Sequence, residues 1–266
     1  MGERDYESRL APTDISLDGK VAVVTGAANG IGRAIALVYA RFGANLVVCD
    51  RDVAQLDSLA DAVEALGRGV VAGELDVRDN DSVTEFVGEA TTHFGRLDVL
   101  VNNAGGGFMA GFTDVSEKGQ ATLVAENFGS VTNFVRACAP YFPSIGGSIV
   151  NITSIEAHRA GPNFAVYSAM KAAVANLTKS LALELGARFI RVNAIAPDVI
   201  PTPGLDHDIP VTTPLPVAGH VDDVAGAALY LALPLSRFVT GTTIHVDGGN
   251  LAAGGWHRAS GGEFTT

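Results

Sequence analysis

Tyr167 and Lys171 stand four residues apart in a segment of helical period, which puts the phenol and the ammonium on one helix face. A free tyrosine titrates near 10, and a cation about 4 Å away contributes up to about 4 kcal/mol at an effective dielectric near 20. That is roughly three pKa units, enough to make the phenol a general acid or base near neutrality. The expectation is therefore that Lys171 depresses the pKa of Tyr167. A second group lies near the N-terminus, where Thr25-Gly26-Ala27-Ala28-Asn29-Gly30-Ile31-Gly32 follows an apolar run and opens a helix. Glycines there let the backbone turn sharply and approach a ligand, and the free N–H groups at the helix start suit a pyrophosphate. Asp50 closes the next apolar run, 18 residues after Gly32, where a carboxylate can accept hydrogen bonds from both ribose hydroxyls of an adenosine. That argues for NAD over NADP, since a 2′-phosphate beside Asp50 is repelled unless a cation intervenes, and Arg51 is the neighbour that could intervene.

The elements that must position these groups can be read from alternation. β-branched apolar runs at 20–25, 45–50, 69–76, 97–102, 148–153, 190–196 and 242–246 predict seven strands. Between them, 31–42, 53–66, 79–94, about 116–141, 167–185 and 221–233 carry apolar residues at spacings of three and four and predict six helices. Strand and helix in strict alternation indicate a parallel sheet covered by helices on both faces. Gly43, Gly67, Gly95 and Gly186 fall where helices should stop in a left-handed cap. Residues 197–220 hold six prolines and are expected as a substrate loop that neither helix nor central strand can cross. The domain reading is a polar lead-in at 1–16, one domain over 17–256 and a tail at 257–266.

Composition narrows the classes. The chain has 266 residues, 47% hydrophobic, with 18 basic and 29 acidic side chains and a formal charge of −11. Such a balance offers no cationic surface to nucleic acid or to anionic lipid. The longest apolar run, near 225–235, is too short for a membrane helix, and the charged N-terminus lacks the apolar core of an export signal. Cys49 and Cys138 have no metal-ligand spacing and read as reduced core thiols of a cytoplasmic protein, and no metal site is expected.

The spacing Thr25-Gly-x-x-x-Gly-x-Gly32, with Asn102-Asn103-Ala104-Gly105 and Tyr167-Ser-Ala-Met-Lys171, resembles the short-chain dehydrogenase/reductase family over about residues 17–250. The resemblance implies a Rossmann-like, doubly wound α/β fold and a secondary alcohol/ketone oxidoreductase. By the same likeness Asp76 and Val77 contact adenine, Asn103, Ala104 and Gly105 back the cofactor, and Pro197 and Thr202 lie at its carboxamide end. Ser154, 13 residues before Tyr167, and Asn127, 27 before Ser154, match the spacing of an Asn-Ser-Tyr-Lys tetrad. In it Ser154 binds the substrate oxygen, Tyr167 exchanges the proton, Lys171 also grips the nicotinamide ribose, and Asn127 holds a relay water. The likeness also implies a homotetramer, through 116–141, 167–185 and 242–249.

Substrate contacts are expected from Glu156, His158 and Arg159 in the loop after Ser154, and from Phe164. His207 and His220 are candidates in the proline-rich loop, with surface duty as the alternative. Asp198 is a further candidate substrate contact; it departs from the family, which carries glycine there, and a carboxylate near the carboxamide end of the cofactor is expected to alter nicotinamide affinity or substrate charge preference. Phe108, Met109, Phe112, Phe164 and Leu205 offer an apolar lining suited to a steroid, alicyclic or acyl-CoA-linked substrate. Alternatives are an NADPH-dependent 3-oxoacyl reductase, which the acidic chain disfavours, and a catalytically silent NAD-binding sensor.

Overall fold

The computed structural model describes residues 10–203, 211–258 and 263–265. Leu205, His207 and Pro210 of the expected substrate loop lie outside them.

Seven parallel strands, β1 (Val21–Thr25), β2 (Asn45–Asp50), β3 (Val70–Glu74), β4 (Val99–Asn102), β5 (Gly147–Ile152), β6 (Ile190–Pro197) and β7 (Thr243–Val246), form one sheet in the order 3-2-1-4-5-6-7. All seven expected strands are present, with ends moved by a residue or two. The helices α1 (Gly30–Arg41), α2 (Val53–Ala65), α3 (Asn80–Phe94), α4 (Glu117–Val124), α5 (Ser130–Cys138), α6 (Ala165–Gly186) and α7 (Val221–Ala232) cover both faces.

The two cores follow from the two-residue period of a strand. Ala22 and Val24 point to one face and pack with Ile35 and Tyr39 of α1, Leu59 of α2 and Ala228 of α7. Val21 and Val23 point to the other and pack with Phe86 of α3, Phe134 of α5 and Val174 of α6. Cys49 and Cys138 are both free and buried in that second core. After β7 a short helix α8 (Asn250–Ala253) follows, and a two-residue antiparallel pairing joins β8 (His257–Arg258) to β9 (Phe264–Thr265).

Two expectations are corrected. The single helix over 116–141 is four consecutive pieces: α4, a π-helical segment Ala125–Gly129, α5 and a 3-10 turn Ala139–Tyr141. Apolar residues at three and four continue through the segment, so their spacing does not record the change in backbone hydrogen-bond register. Gly186 does not cap α6 in a left-handed conformation; Phe189, at φ 58°, takes the turn into β6 instead. Its carbonyl lies against Gly146, where any Cβ would collide with it.

The strand order reverses between β3 and β4 about β1, so loops diverge at the carboxyl ends of β1 and β4 and leave a crevice there. Among the described residues no helix is long and apolar enough to cross a membrane.

Candidate active site

The crevice is a cleft of about 570 Å³. At one end β1 runs into Gly26, and the α1 N-terminus follows with no side chain of Asn29 capping it. The loop is tied down from β4: the Thr25 hydroxyl oxygen accepts from the backbone N–H of Asn103 and of Ala104, each at 3.0 Å, and Asn103 Nδ2 donates to the carbonyls of Thr25 and Gly26 at 3.0 and 2.9 Å. Gly32 lies beneath this turn, and a Cβ there would collide with the Gly26 carbonyl oxygen. The result is a cradle in which free N–H groups at the start of α1 face the cleft, the donor set an anionic pyrophosphate needs. Asp50 at the end of β2 is held by backbone alone, Oδ2 accepting from Ala28 N at 3.0 Å and Oδ1 from Arg51 N at 2.7 Å and Asp52 N at 3.2 Å. These residues fit an adenine dinucleotide.

At the other end Ser154, Tyr167 and Lys171 meet. Ser154 leaves the end of β5 and Tyr167 and Lys171 share one face of α6. Lys171 is buried, donates from Nζ to the Ile152 carbonyl at 3.0 Å, and lies 5.5 Å from the centre of the Tyr167 ring. Burial pulls its pKa down to about 8, against a smaller upward pull from Glu126. The Tyr167 phenol goes the other way: burial raises its pKa, a hydrogen bond with Ser154 opposes that, and Glu156 adds to it. In the protein alone burial is the largest influence on the phenol, and the Lys171 ammonium is engaged by the Ile152 carbonyl.

Asn127 stands behind these three, fully buried in the π-helical segment. Its Nδ2 donates to the carbonyls of Gly106 (2.8 Å) and Leu123 (3.0 Å), and its Oδ1 accepts from Gly106 N at 3.2 Å. Both donors are used, which leaves Oδ1 one lone pair to offer a water. The Leu123 carbonyl lies at the π-helical break, and the amide holds the loop after β4 against Lys171.

A family model described as enoyl-(acyl carrier protein) reductase matches residues 26–250. The 3-oxoacyl-(acyl-carrier-protein) reductase FabG of Thermotoga maritima is 38% identical over 242 residues, covering 88% of this chain and 98% of that protein. The 7α-hydroxysteroid dehydrogenase of Escherichia coli is 33% identical, covering 90% and 96%. A crystal structure of carveol dehydrogenase from Mycobacterium avium in complex with NAD superimposes with a TM-score of 0.84 at 32% identity, covering 89% of this chain and 99% of that one. The chain belongs to the short-chain dehydrogenase/reductase family.

Of the family-type residues expected at the cofactor, Gly26, Asn29, Gly30, Ile31, Asp50, Arg51, Asp76, Val77, Asn103, Ala104, Gly105, Pro197 and Thr202 line the cleft, and Gly32 supports it from below. Glu156, Phe164 and Asp198, expected as substrate contacts, line the cleft as well. His158 does not: it is exposed and stacks edge-on to His245, ring centres 4.7 Å apart. His220 is the N-cap of α7, its Nδ1 accepting from Asp222 N at 3.2 Å, which is a structural duty. Phe108, Met109 and Phe112 are exposed and flank the cleft without lining it, because the loop after β4 turns them outward.

Two features were missed. Arg159 binds Glu156 at 2.9 Å and reaches Asp198 at 3.7 Å, while Asn250 Nδ2 at the start of α8 donates to Asp198 at 2.6 Å, a network that joins the segments after β5, β6 and β7. Glu126 lines the cleft and faces Arg51 at 3.7 Å. Its position beside Asn127 was the available signal. Among the described residues no group of three or more His, Cys, Asp and Glu side chains is arranged to hold a metal.

Proposed function

We propose that this protein is an NAD-dependent oxidoreductase that interconverts a secondary alcohol and a ketone, with Tyr167 as general acid/base. The observation that carries the reading is the shared cleft: a pyrophosphate cradle and Asp50 at one end, Ser154, Tyr167 and Lys171 at the other. A bound nicotinamide supplies the hydride exchange. Ser154 donates a hydrogen bond to the substrate oxygen, and Tyr167 gives that oxygen a proton in reduction or takes one in oxidation. The raised pKa keeps the phenol protonated and ready as an acid; the oxidative direction draws on the charge of Lys171, which is retained below about pH 8. The substrate is read as alicyclic, steroid or acyl-CoA-linked; Phe164 at the cleft suits any of these, and the names of the steroid and carveol dehydrogenases favour the first two. A cytoplasmic homotetramer is part of the same reading; Leu183, 84% exposed on α6, offers an apolar side chain to a contact between copies.

The test is a nicotinamide-absorbance assay with NAD⁺ and NADP⁺ against steroid, cyclic, polyol and hydroxyacyl-thioester alcohols. Turnover with NAD⁺ that falls by about 10²–10⁴ in Tyr167→Phe, with NADH binding retained, is the expected result. Full activity in that variant overturns the role of Tyr167. Activity confined to NADPH and 3-oxoacyl thioesters supports the second reading, which the Thermotoga maritima relative favours. Tight NADH binding without turnover supports a sensor.

A further inference from the structure

The adenosine end of the cleft gathers three carboxylates, Asp50, Asp76 and Glu126, with two guanidiniums, Arg51 and Arg78. Their pairing is selective. Arg78 is gripped by Asp76, with Nε 2.8 and 2.9 Å from its two oxygens. Arg51, adjacent to Asp50 in sequence, turns its guanidinium away to Glu126 at 3.7 Å. Each guanidinium thus has one carboxylate nearest to it, although Glu126 also acts on Arg78 and Arg51 on Asp76 across the cluster. Asp50, engaged only by backbone N–H groups, has no cation within ion-pair distance among the described residues. Glu126 can reach across because it rides on the π-helical segment, immediately before Asn127, whose amide anchors that segment to Gly106 and Leu123.

We propose that Glu126 is a positioning residue for cofactor choice: by holding Arg51 across the cleft it withholds the cation that would otherwise neutralise a 2′-phosphate beside Asp50. This rests on the dinucleotide reading of the cleft. With Glu126 ionised the five groups sum to one negative charge; with a neutral side chain there they sum to zero and Arg51 is released to the ribose. The Arg51 side chain is 62% exposed, so the restraint is that of a surface ion pair, which shifts an equilibrium by up to about fivefold.

The experiment titrates NADH and NADPH by nicotinamide fluorescence into the native protein, Glu126→Gln, Arg51→Ala and the double variant. The readout is the ratio of the two affinities. Glu126 also acts on Lys171, but that effect, like any general loss of folding, weighs on both cofactors and cancels. Glu126→Gln is expected to raise the NADPH-to-NADH affinity ratio about fivefold at low ionic strength, with the gain shrinking at 1 M salt, where the screening length is about 3 Å. The double variant is expected to show no gain over Arg51→Ala. A ratio unmoved by Glu126→Gln, or a gain that survives without Arg51, overturns the inference while leaving the NAD reading intact. A native protein that binds neither nucleotide overturns both.

Discussion

At the adenosine end of the cleft, every bond of the set has backbone on one side: three N–H groups orient Asp50, and the Asn103 side chain sews the loop after β1 to the end of β4 through the carbonyls of Thr25 and Gly26. At the substrate end, side chains hold other side chains, with Arg159 between Glu156 and Asp198, and Asn250 on the far oxygen of Asp198. The difference is one of tolerance. Backbone contacts depend on conformation and clearance, so one methyl group in the wrong place removes them. A side-chain network has several members and loses one at modest cost.

The sharpest way to break the comparison is Gly32→Ala. The added Cβ would meet the Gly26 carbonyl oxygen and press on Asn103 Nδ2, so the loop must move for the chain to fold. Cofactor affinity is expected to fall by roughly two orders of magnitude, about 2–3 kcal/mol, with stability in denaturant lowered by a similar amount. Affinity for NADH within threefold of the native value would show that the cradle is softer than its clearances indicate.

Lys171 belongs to both ends, and pH separates its contribution. Its pKa is about 8 in the fold against 10.5 in an unfolded chain. Below pH 8 both states hold the proton and the fold bears the full cost of a buried cation. Between 8 and 10.5 the unfolded chain binds more protons than the folded one, so stability rises with pH. Measured against Lys171→Met, the native protein should gain about 2 kcal/mol between pH 7 and 9.5 in urea melts. A flat difference would mean that Lys171 stays charged and that its bond to the Ile152 carbonyl compensates its burial.

The same contrast explains what could be read in advance. The Gly-rich loop, Asp50, Tyr167 and Lys171 are legible because each depends on a short spacing within one element or one turn. The seven strands are legible because each carries a short apolar, mostly β-branched run, even where β3 and β7 at the two edges of the sheet are only partly buried. Arg159, Asp198 and Asn250 follow three different strands, β5, β6 and β7, far apart in sequence, and only the assembled sheet brings them together. The break at Ala125–Gly129 is likewise a tertiary fact: Asn127 bonds to Gly106, on the loop after β4, and no local propensity records that. Tyr167 and Lys171 share one face of α6 as their spacing predicts, whereas the burial that raises the phenol's pKa is a tertiary property that spacing does not report.

The smallest effect probes the substrate end. Asp198→Gly removes the acceptor for Asn250 and one of two carboxylates on Arg159, which still keeps Glu156 at 2.9 Å. Because the network retains a member, the expected loss is about 1 kcal/mol of stability, or about a fivefold rise in substrate KM, with kcat within twofold. Asp198→Asn keeps an oxygen for Asn250 and loses only the attraction to Arg159, so it should show less than half of that change. NADH affinity should be untouched in both, since Asp50 and the loop after β1 share no contact with this network. If NADH affinity falls along with KM, Asp198 is acting through the end of β6 on the whole cleft, and the division into a backbone-built end and a side-chain-built end does not hold at that strand.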